Sequence, residues 1–449
     1  MFNVQWSMVN SKCLMFFLAI PALACAGVEE KTDSLDVNKK NQVNIDLQLL
    51  GQGEIRDGGL VAKNSEAQAD DYANFLVQRT RMTIDYRRKS LELKVKPQYT
   101  SVWGQKNSGS FKLYEAWAQY TSRLGLFAQV GRQALSYDDE RIIGPDDWAM
   151  GAAAHDVLKV GYEGRGHKAH LLLAYNQNPE NVNGGTYYVD GGQPYKTMQM
   201  LWYHYDTPKT PLGLSLLMMN IGTQGGMSEA TMRTEYQQLL GTHITYKPQW
   251  GNLSASYYHQ MGREETGAKL DAWMAAVRGT VKPSEKYSFT AGFDYLSGDK
   301  YFAVPQTGDM GLTYHDKVRG FTELYGSHHK FYGMMDFFYI SNYVNGFSPG
   351  LQNAYIGTEV TPLGKLTFAV CYHYMATATK LEDLNKTLGH DLELSADYKP
   401  MDDLRLTAGL SYMTGTETME RLKRASSDGR LLWAWVTLTF SPRILSLKW

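Results

Sequence analysis

The chain has 449 residues, a formal net charge of −1 and a mean hydropathy of −0.39. Near-neutral charge provides no strong field directed at nucleic acid. Beyond the N-terminus there is no run of about eighteen apolar residues, which excludes membrane-spanning helices, while 30 tyrosines and 42 glycines favour a structure whose faces alternate between apolar and polar.

The first 26 residues are predicted to be a secretory signal peptide. A short apolar run over residues 13–23 precedes a small-residue cleavage site at residues 24–26. Two alternatives stay open: an N-terminal membrane anchor, for which the apolar run is short, and a lipoprotein signal acylated at Cys25. Residues 27–41 are predicted to form a periplasmic lead. Cleavage leaves Cys371 as the only cysteine, so no internal disulfide is expected.

Residues 42–440 repeat one pattern. Segments of about ten residues, within which polar and apolar residues alternate, are joined by connections that are alternately short and long. Transmembrane β-barrels have this asymmetry, with short periplasmic turns and long extracellular loops. A soluble β-sandwich gives no reason for it. The sequence therefore predicts an all-β fold, an antiparallel barrel of about eighteen strands in the bacterial outer membrane, followed by a tail over residues 441–449.

Each predicted strand has one polar and one aliphatic face. Asp391 and Glu393, for example, alternate with Leu392 and Leu394. A barrel of about eighteen strands has an interior too wide for side chains to fill. The polar face is therefore predicted to line a wet lumen and the aliphatic face to contact lipid. Tyrosines near strand ends are interpreted as the aromatic girdle of the membrane interface.

A ladder of four bases is predicted on two neighbouring strands near the start of the barrel, formed by Arg79, Arg81, Lys94 and Lys96. Residues two apart on a strand share a face, so these side chains would line the pore and attract anions. The alternative is that they pair with acidic residues of the same wall and only stiffen it; the candidates are Asp85, Glu92 and Glu115.

Residues 126–163 contain two predicted strands around a connection rich in charge, and this connection organises the chain. Because it also contains isoleucines and a tryptophan, we expect an ordered loop that narrows the pore rather than a mobile linker. Its constriction residues are predicted to be Asp138, Asp147 and Trp148, with Arg132 or Arg141 as counter-ions. The loop's carboxylates lack the spacing of a calcium loop, so no metal is expected there.

Residues 330–339 resemble a strand, but counting them would give an odd number of strands. We therefore predict that they lie inside the loop after Tyr295, packed into the pore mouth, and that Asp294 lines the pore. Neither the adjacent His328 and His329 nor His155 has a third metal ligand in the sequence pattern. No metal and no cofactor is predicted.

Four stretches resemble, in order, the alginate export family of outer-membrane barrels: residues 131–148, 292–299, 329–338 and 388–394. The first carries Gly-Arg-Gln, Arg-Ile-Ile-Gly and Asp-Trp. The resemblance implies a barrel of eighteen strands and a pore whose bases, here Arg79, Arg81, Arg132 and Arg141, attract an acidic polysaccharide. The same wall carries many carboxylates, so the resemblance supports the fold more strongly than alginate as substrate.

The prediction is an outer-membrane channel, not an enzyme, that passes a polar or anionic saccharide or small solute. Its expected partners are membrane lipid, that solute and periplasmic export or uptake proteins, with no nucleic acid. The alternatives are a passive uptake porin for small solutes or oligosaccharides, a non-conducting binding barrel, and an outer-membrane enzyme. The enzyme would need Ser256, His259 and Asp271, whose predicted faces do not converge.

Overall fold

The computed structural model describes residues 41–58, 72–176, 193–225, 232–299, 317–338, 348–381, 383–423 and 430–449. The predicted signal peptide and nearly all of the predicted periplasmic lead lie outside these residues. None of the helices in the described part of the chain has the length and apolar character needed to span a bilayer.

The described residues are mostly strand. The first ten strands are β1 (Gln42–Asp57), β2 (Ala73–Arg88), β3 (Leu91–Val102), β4 (Ser110–Thr121), β5 (Leu126–Gln133), β6 (His155–Gly164), β7 (His167–Tyr175), β8 (Thr197–Asp206), β9 (Leu212–Gly225) and β10 (Arg233–Tyr246). The remainder are β11 (Gly251–Arg263), β12 (Lys269–Ser284), β13 (Tyr287–Leu296), β14 (Lys317–Val318), β15 (Leu351–Leu363), β16 (Leu366–Ala376), β17 (Thr387–Met401), β18 (Leu404–Gly415), β19 (Arg430–Phe440) and β20 (Arg443–Lys448).

Eighteen of these strands form a closed antiparallel barrel, as predicted. Successive strands pair with each other, β13 pairs with β15, and β1 pairs with both β2 and β19 to close the wall. The two-residue β14 runs parallel to the end of β12 and is not a wall strand. Strand β20 continues the line of β19 along β1 after an interruption at Pro442.

Eight short connections join the strands at one end of the barrel, in agreement with the predicted alternation of short and long connections. The turn between β6 and β7 shows the local chemistry, since Arg165 has φ 52° and Gly166 has φ 81°. Two successive residues with positive φ match the right-handed twist of a tight hairpin, and glycine adopts this conformation without steric cost. The longer connections start and finish at the opposite ends of these strands.

The two faces of the wall are divided as predicted. Leu392 and Leu394 are 44% and 40% exposed on the outer surface, whereas Asp391 and Glu393 are buried on the inner one. Tyr398 at the turn end of the same strand is also exposed on the apolar face. An apolar exterior and a polar interior are the reverse of a soluble barrel and match a wall surrounded by lipid.

Candidate functional site

Two segments between strands fold into the barrel and pair with each other. We call residues 134–154, between β5 and β6, the constriction loop, and residues 319–338, between β14 and β15, the inner segment. The backbone N–H of Tyr325 donates to Ile142 O at 2.9 Å, that of Gly144 donates to Tyr325 O at 2.8 Å, and that of Ser327 donates to Glu140 O at 2.8 Å. The strand-like stretch after residue 330 therefore lies inside a loop, as predicted, in the part that the structure describes.

Asp147 fastens the constriction loop to the barrel wall. Its Oδ1 accepts a hydrogen bond from Arg81 Nη1 at 2.5 Å, and its Oδ2 lies 3.4 Å from Arg79 Nη2. Arg79 Nη1 also donates to the backbone oxygen of Asp147 at 2.8 Å. The two arginines are only 1% and 6% exposed, while the Asp147 side chain is 51% exposed. The predicted pore-lining arginines therefore lie beneath the loop and anchor it.

The two lysines of the predicted ladder are paired along the wall. Lys94 Nζ lies 3.5 Å from Asp85 Oδ1, and Lys96 Nζ lies 2.6 Å from Glu115 Oε1. For the lysines, the alternative of carboxylate pairing describes the structure better than an open ladder. Side chains paired in this way contribute little net charge to the pore.

Arg141 lies at the centre of the joined segments. Its Nη2 is 3.1 Å from Asp294 Oδ1, its Nε is 3.3 Å from Asp139 Oδ2, and its Nη1 donates to Tyr332 Oη at 2.9 Å. Burial opposes the charge, but the Asp294 carboxylate raises the pKa of Arg141 well above its usual value. Arg141 and Asp294 were predicted to line the pore separately, but in the structure they form an ion pair inside the barrel.

Arg132 does not serve as a counter-ion of the constriction loop. Its Nε and Nη2 donate to the two carboxylate oxygens of Asp156 at 2.8 and 2.7 Å, and Asp156 belongs to β6. The expectation of an internal counter-ion holds for Arg141 with Asp139, but not for Arg132. A planar guanidinium opposite a carboxylate on the adjacent strand forms this two-point contact readily, which explains the preference.

Asp138 and Trp148 hold the two sides of the constriction loop. Trp202 Nε1 donates to Asp138 Oδ1 at 3.0 Å, and burial raises the pKa of Asp138. Trp148 stacks on His329 of the inner segment, with ring centroids 3.9 Å apart, and meets Trp435 edge-on at 4.8 Å. Both predicted constriction residues thus fix the loop against its surroundings.

Lys112 is a pore-side base that sequence analysis did not single out. Its Nζ donates to Ala152 O of the constriction loop at 3.3 Å, and it lies close enough to Arg79, Arg81 and Arg132 to sense their charges. Its position between Phe111 and Leu113, both exposed on the outer face, was the available signal. These four bases outnumber the carboxylates of Asp147 and Asp156, which pair with three of them.

The residues considered for catalysis lie on opposite sides of the wall. His259 Nε2 lies 3.1 Å from Asp271 Oδ1, but Ser256 Oγ is bonded to His243 Nδ1 at 2.8 Å on the inner face. Ser256 and His259 alternate across the strand, so the three side chains cannot act together. His155 Nδ1 lies 2.9 Å from Tyr195 Oη, and His329 Nδ1 lies 3.1 Å from Asp336 Oδ2.

We expect the constriction loop to fluctuate less as the pH falls from about 7 to about 5. Burial first, and the nearby Asp336 carboxylate second, raise the pKa of Asp146 to about 6, against lowering by the His328 backbone and the His329 ring. A pKa raised in the packed loop means that the packing is favoured when Asp146 is protonated, and that this contribution is lost as the pH rises through about 6.

The measurement for this expectation is single-channel current noise in planar bilayers at the two pH values. Asp146→Asn should show the low noise of the acidic condition at both. Glu264→Gln, which changes a carboxylate in an exposed loop, should keep the wild-type dependence. Noise that does not vary with pH in the wild type would contradict the role given to Asp146.

A family model described as alginate export matches residues 36–388. The fold is similar to solved structures of Pseudomonas aeruginosa OccK5 (OpdH), at 9% identity and a TM-score of 0.60 over 90% of this chain and 98% of that chain. It is also similar to a BenF-like porin from Pseudomonas fluorescens Pf-5, at 10% identity and 0.60 over 90% and 99%. P. aeruginosa OccK2 (OpdF) in complex with glucuronate matches at 13% identity and 0.57 over 90% and 98%. No curated protein matches the chain.

Proposed function

The chain belongs to the alginate export family, and on that premise we propose that it is an outer-membrane channel for anionic, saccharide-like solutes. Family membership and a closed barrel with a lipid-type exterior support a channel rather than an enzyme. The class of solute is inferred separately, from the charged residues beside the constriction loop.

The proposal of an anionic solute rests on the local excess of basic side chains where the constriction loop meets the barrel wall. Arg79, Arg81, Lys112 and Arg132 outnumber Asp147 and Asp156 there. A positive excess inside a narrow, low-dielectric passage raises the local concentration of anions. Lys94 and Lys96 elsewhere on the wall are paired with carboxylates. Anions would therefore be attracted at one place in the pore and not along a uniformly basic channel.

The paired internal segments favour small solutes over a long polymer in the state described. Glu140 and Ser327 connect the constriction loop and the inner segment both through backbone and through a side-chain hydrogen bond of 3.0 Å. Passage of a polysaccharide chain would require these contacts to open. The similar OccK2 barrel was solved in complex with glucuronate, an acidic monosaccharide, which supports an acidic sugar or short oligosaccharide as the solute of this channel.

The test of this proposal is conductance of the purified protein in planar bilayers, with candidate solutes added to one side. Glucuronate should interrupt the ion current more often than equimolar glucose, which has similar size and no charge. An oligomer of uronate that blocks and crosses would favour polymer export, whereas block without passage would favour uptake of small sugars. A folded barrel without conductance would contradict the proposal that the protein is a channel.

Charge selectivity provides a second measurement. We expect the wild type to prefer anions mildly at low salt, and Lys112→Glu to abolish or reverse that preference, because it removes the local positive excess without touching the contacts of Asp147. Lys282→Glu makes the same charge change on an exposed residue near a turn and should have little effect. Reversal potentials across a salt gradient measure both, and the difference should vanish near 1 M salt, where the screening length is about 3 Å.

The double change Arg79→Glu plus Arg81→Glu should also reduce anion preference. It places two carboxylates against Asp147, so a larger open-state current is expected together with the change in selectivity. A cation-selective wild type would remove the bases from the transport mechanism.

A further inference from the structure

A group of three potential metal ligands faces the barrel interior next to the inner segment. Cys371 and His373 are two residues apart on β16 and therefore share a face, and Glu393 on β17 lies directly across from Cys371. Cys371 Sγ is 3.2 Å from His373 Nε2, which is 3.5 Å from Glu393 Oε2. All three ligand atoms lie within 4.8 Å of one another.

These spacings fit a single tetrahedral ion. Zinc binds thiolate sulfur at about 2.3 Å and imidazole nitrogen or carboxylate oxygen at about 2.0 Å, so ligand atoms on one ion lie roughly 3.3–3.6 Å apart. The two shortest distances here are already close to that range. Three protein ligands leave a fourth position that a water or a solute can occupy.

The surroundings orient the histidine for this task. His373 Nδ1 faces Asn353 Oδ1 at 2.9 Å, which directs the other ring nitrogen, Nε2, toward the thiol and the carboxylate. Metal-binding histidines are commonly oriented by such an acceptor on the second nitrogen. His373 and Glu393 are each 7% exposed, and a cavity of about 200 Å³ lined in part by all three candidate ligands adjoins them.

We propose that Cys371, His373 and Glu393 bind one divalent cation of the thiophilic, zinc-like class inside the barrel. The mixed sulfur, nitrogen and oxygen set favours zinc or cobalt over calcium or magnesium, which prefer oxygen ligands alone. Cys371, His373 and Asn353 also have the residue types of a nucleophile, a base and an orienting group. The Glu393 carboxylate beside the same ring nitrogen supplies a third ligand and favours the cation.

The site is connected to the inner segment and, through it, to the constriction loop. Glu393 Oε1 accepts a hydrogen bond from Met334 N at 2.5 Å, while its other oxygen faces His373. Asn353 Nδ2 donates to Asp294 Oδ2 at 3.0 Å, and Asp294 pairs with Arg141. An ion held by the second oxygen of Glu393 would fix that carboxylate and steady the inner segment.

The direct test is a titration of the purified, metal-free barrel with Co²⁺. In the chain without residues 1–26, Cys371 is the only cysteine, so a thiolate-to-cobalt charge-transfer band reports this site alone. We expect one cobalt per chain, displacement by an equivalent of Zn²⁺, and complete loss of the band in Cys371→Ser. Asn353→Ala should retain the band but weaken affinity by about 10- to 100-fold, as for other partners of metal-bound histidines.

His243→Asn is the matched control, because His243 is also a buried, inward-facing histidine but its Nδ1 bonds to Ser256 Oγ at 2.8 Å. It should bind cobalt like the wild type. Retention of heat-modifiable migration on gels would show that every variant has a folded barrel. Absence of the charge-transfer band in a folded wild type, or cobalt binding unaffected by both Cys371→Ser and His373→Asn, would overturn the proposal.

A second readout is electrical. Micromolar Zn²⁺ should reduce the current fluctuations of the wild type and leave those of Cys371→Ser unchanged, because the ion fixes Glu393 beside Met334. Zinc that quiets both proteins equally would place its action elsewhere and contradict the connection to the inner segment.

Discussion

Arg141→Ala is expected to destabilise the barrel by about 3–5 kcal/mol, the cost typical of breaking a buried ion pair by removing one partner. The Arg141 and Asp294 side chains are 3% and 2% exposed, and their charged atoms lie 3.1 Å apart. Without the guanidinium, the Asp294 carboxylate and the Tyr332 hydroxyl lose their common partner. The constriction loop and the inner segment should separate, so open-state conductance should rise in parallel.

The measurement is the denaturant midpoint of the barrel refolded in vesicles, together with its conductance. Arg405→Ala is the control, since the Arg405 side chain is 60% exposed in its pair with Asp397. Exposed pairs contribute at most about 1 kcal/mol. Equal losses from the two variants would mean that the Arg141 network does not hold the internal segments in place.

Leu394→Arg is expected to destabilise the barrel by about 2–4 kcal/mol if the residue lies near the bilayer midplane. Leu394 is 40% exposed on the outer face of β17, so a charge there would replace an apolar contact with lipid. Ser395→Arg, one position along the same strand, should be tolerated because its side chain points into the wet lumen.

Unfolding in lipid vesicles measures both variants, and the same pair in a detergent micelle should show a smaller difference because micelles deform around a charge. Equal damage from the two substitutions would reverse the assignment of inner and outer faces, or would show that the barrel is not surrounded by lipid. Wild-type stability in Leu394→Arg would place that residue at the membrane surface instead.

The wall was predictable because its rules are local. Alternation with a period of two places Leu392 and Glu393 on opposite faces wherever the strand lies, and turn residues such as Arg165 and Gly166 mark hairpins without reference to distant sequence. The strand count followed from the parity of short and long connections. These features require only neighbours in the chain.

The interior was not predictable in the same way, because its contacts join distant residues. Arg141 and Tyr332 are 191 positions apart, and Ser327 and Glu140 are 187 apart. Periodicity shows that a side chain faces the lumen but not which partner it meets there. Asp147 was expected to narrow the pore, and the same reasoning gave no means to find its two arginines on β2.

The group formed by Cys371, His373 and Glu393 was only partly predictable, since two members are close in sequence and the third lies on the next strand. Metal-ligand motifs that can be recognised in a sequence have helix or loop spacings, whereas a sheet also brings together residues two apart on one strand and the residue opposite on the next. Once Cys371 is aligned with Glu393 in the register of β16 and β17, the third candidate ligand of the proposed site follows. Register, and not composition, was the missing information.

The pairing of β1 with β19, here called the seam, closes the barrel and is expected to form late in folding. Other neighbouring wall strands in the described chain follow each other in sequence, but this pair joins residues such as Glu54 and Trp433, which are 379 positions apart. Closing so long a loop is entropically costly before any contact stabilises it, and non-local pairings of this kind slow folding. Strand β20 adds paired residues to the seam, and Arg443 binds Asp46 at 2.7 Å. Circularisation is therefore expected to be the last and slowest event of folding, after the hairpins have formed.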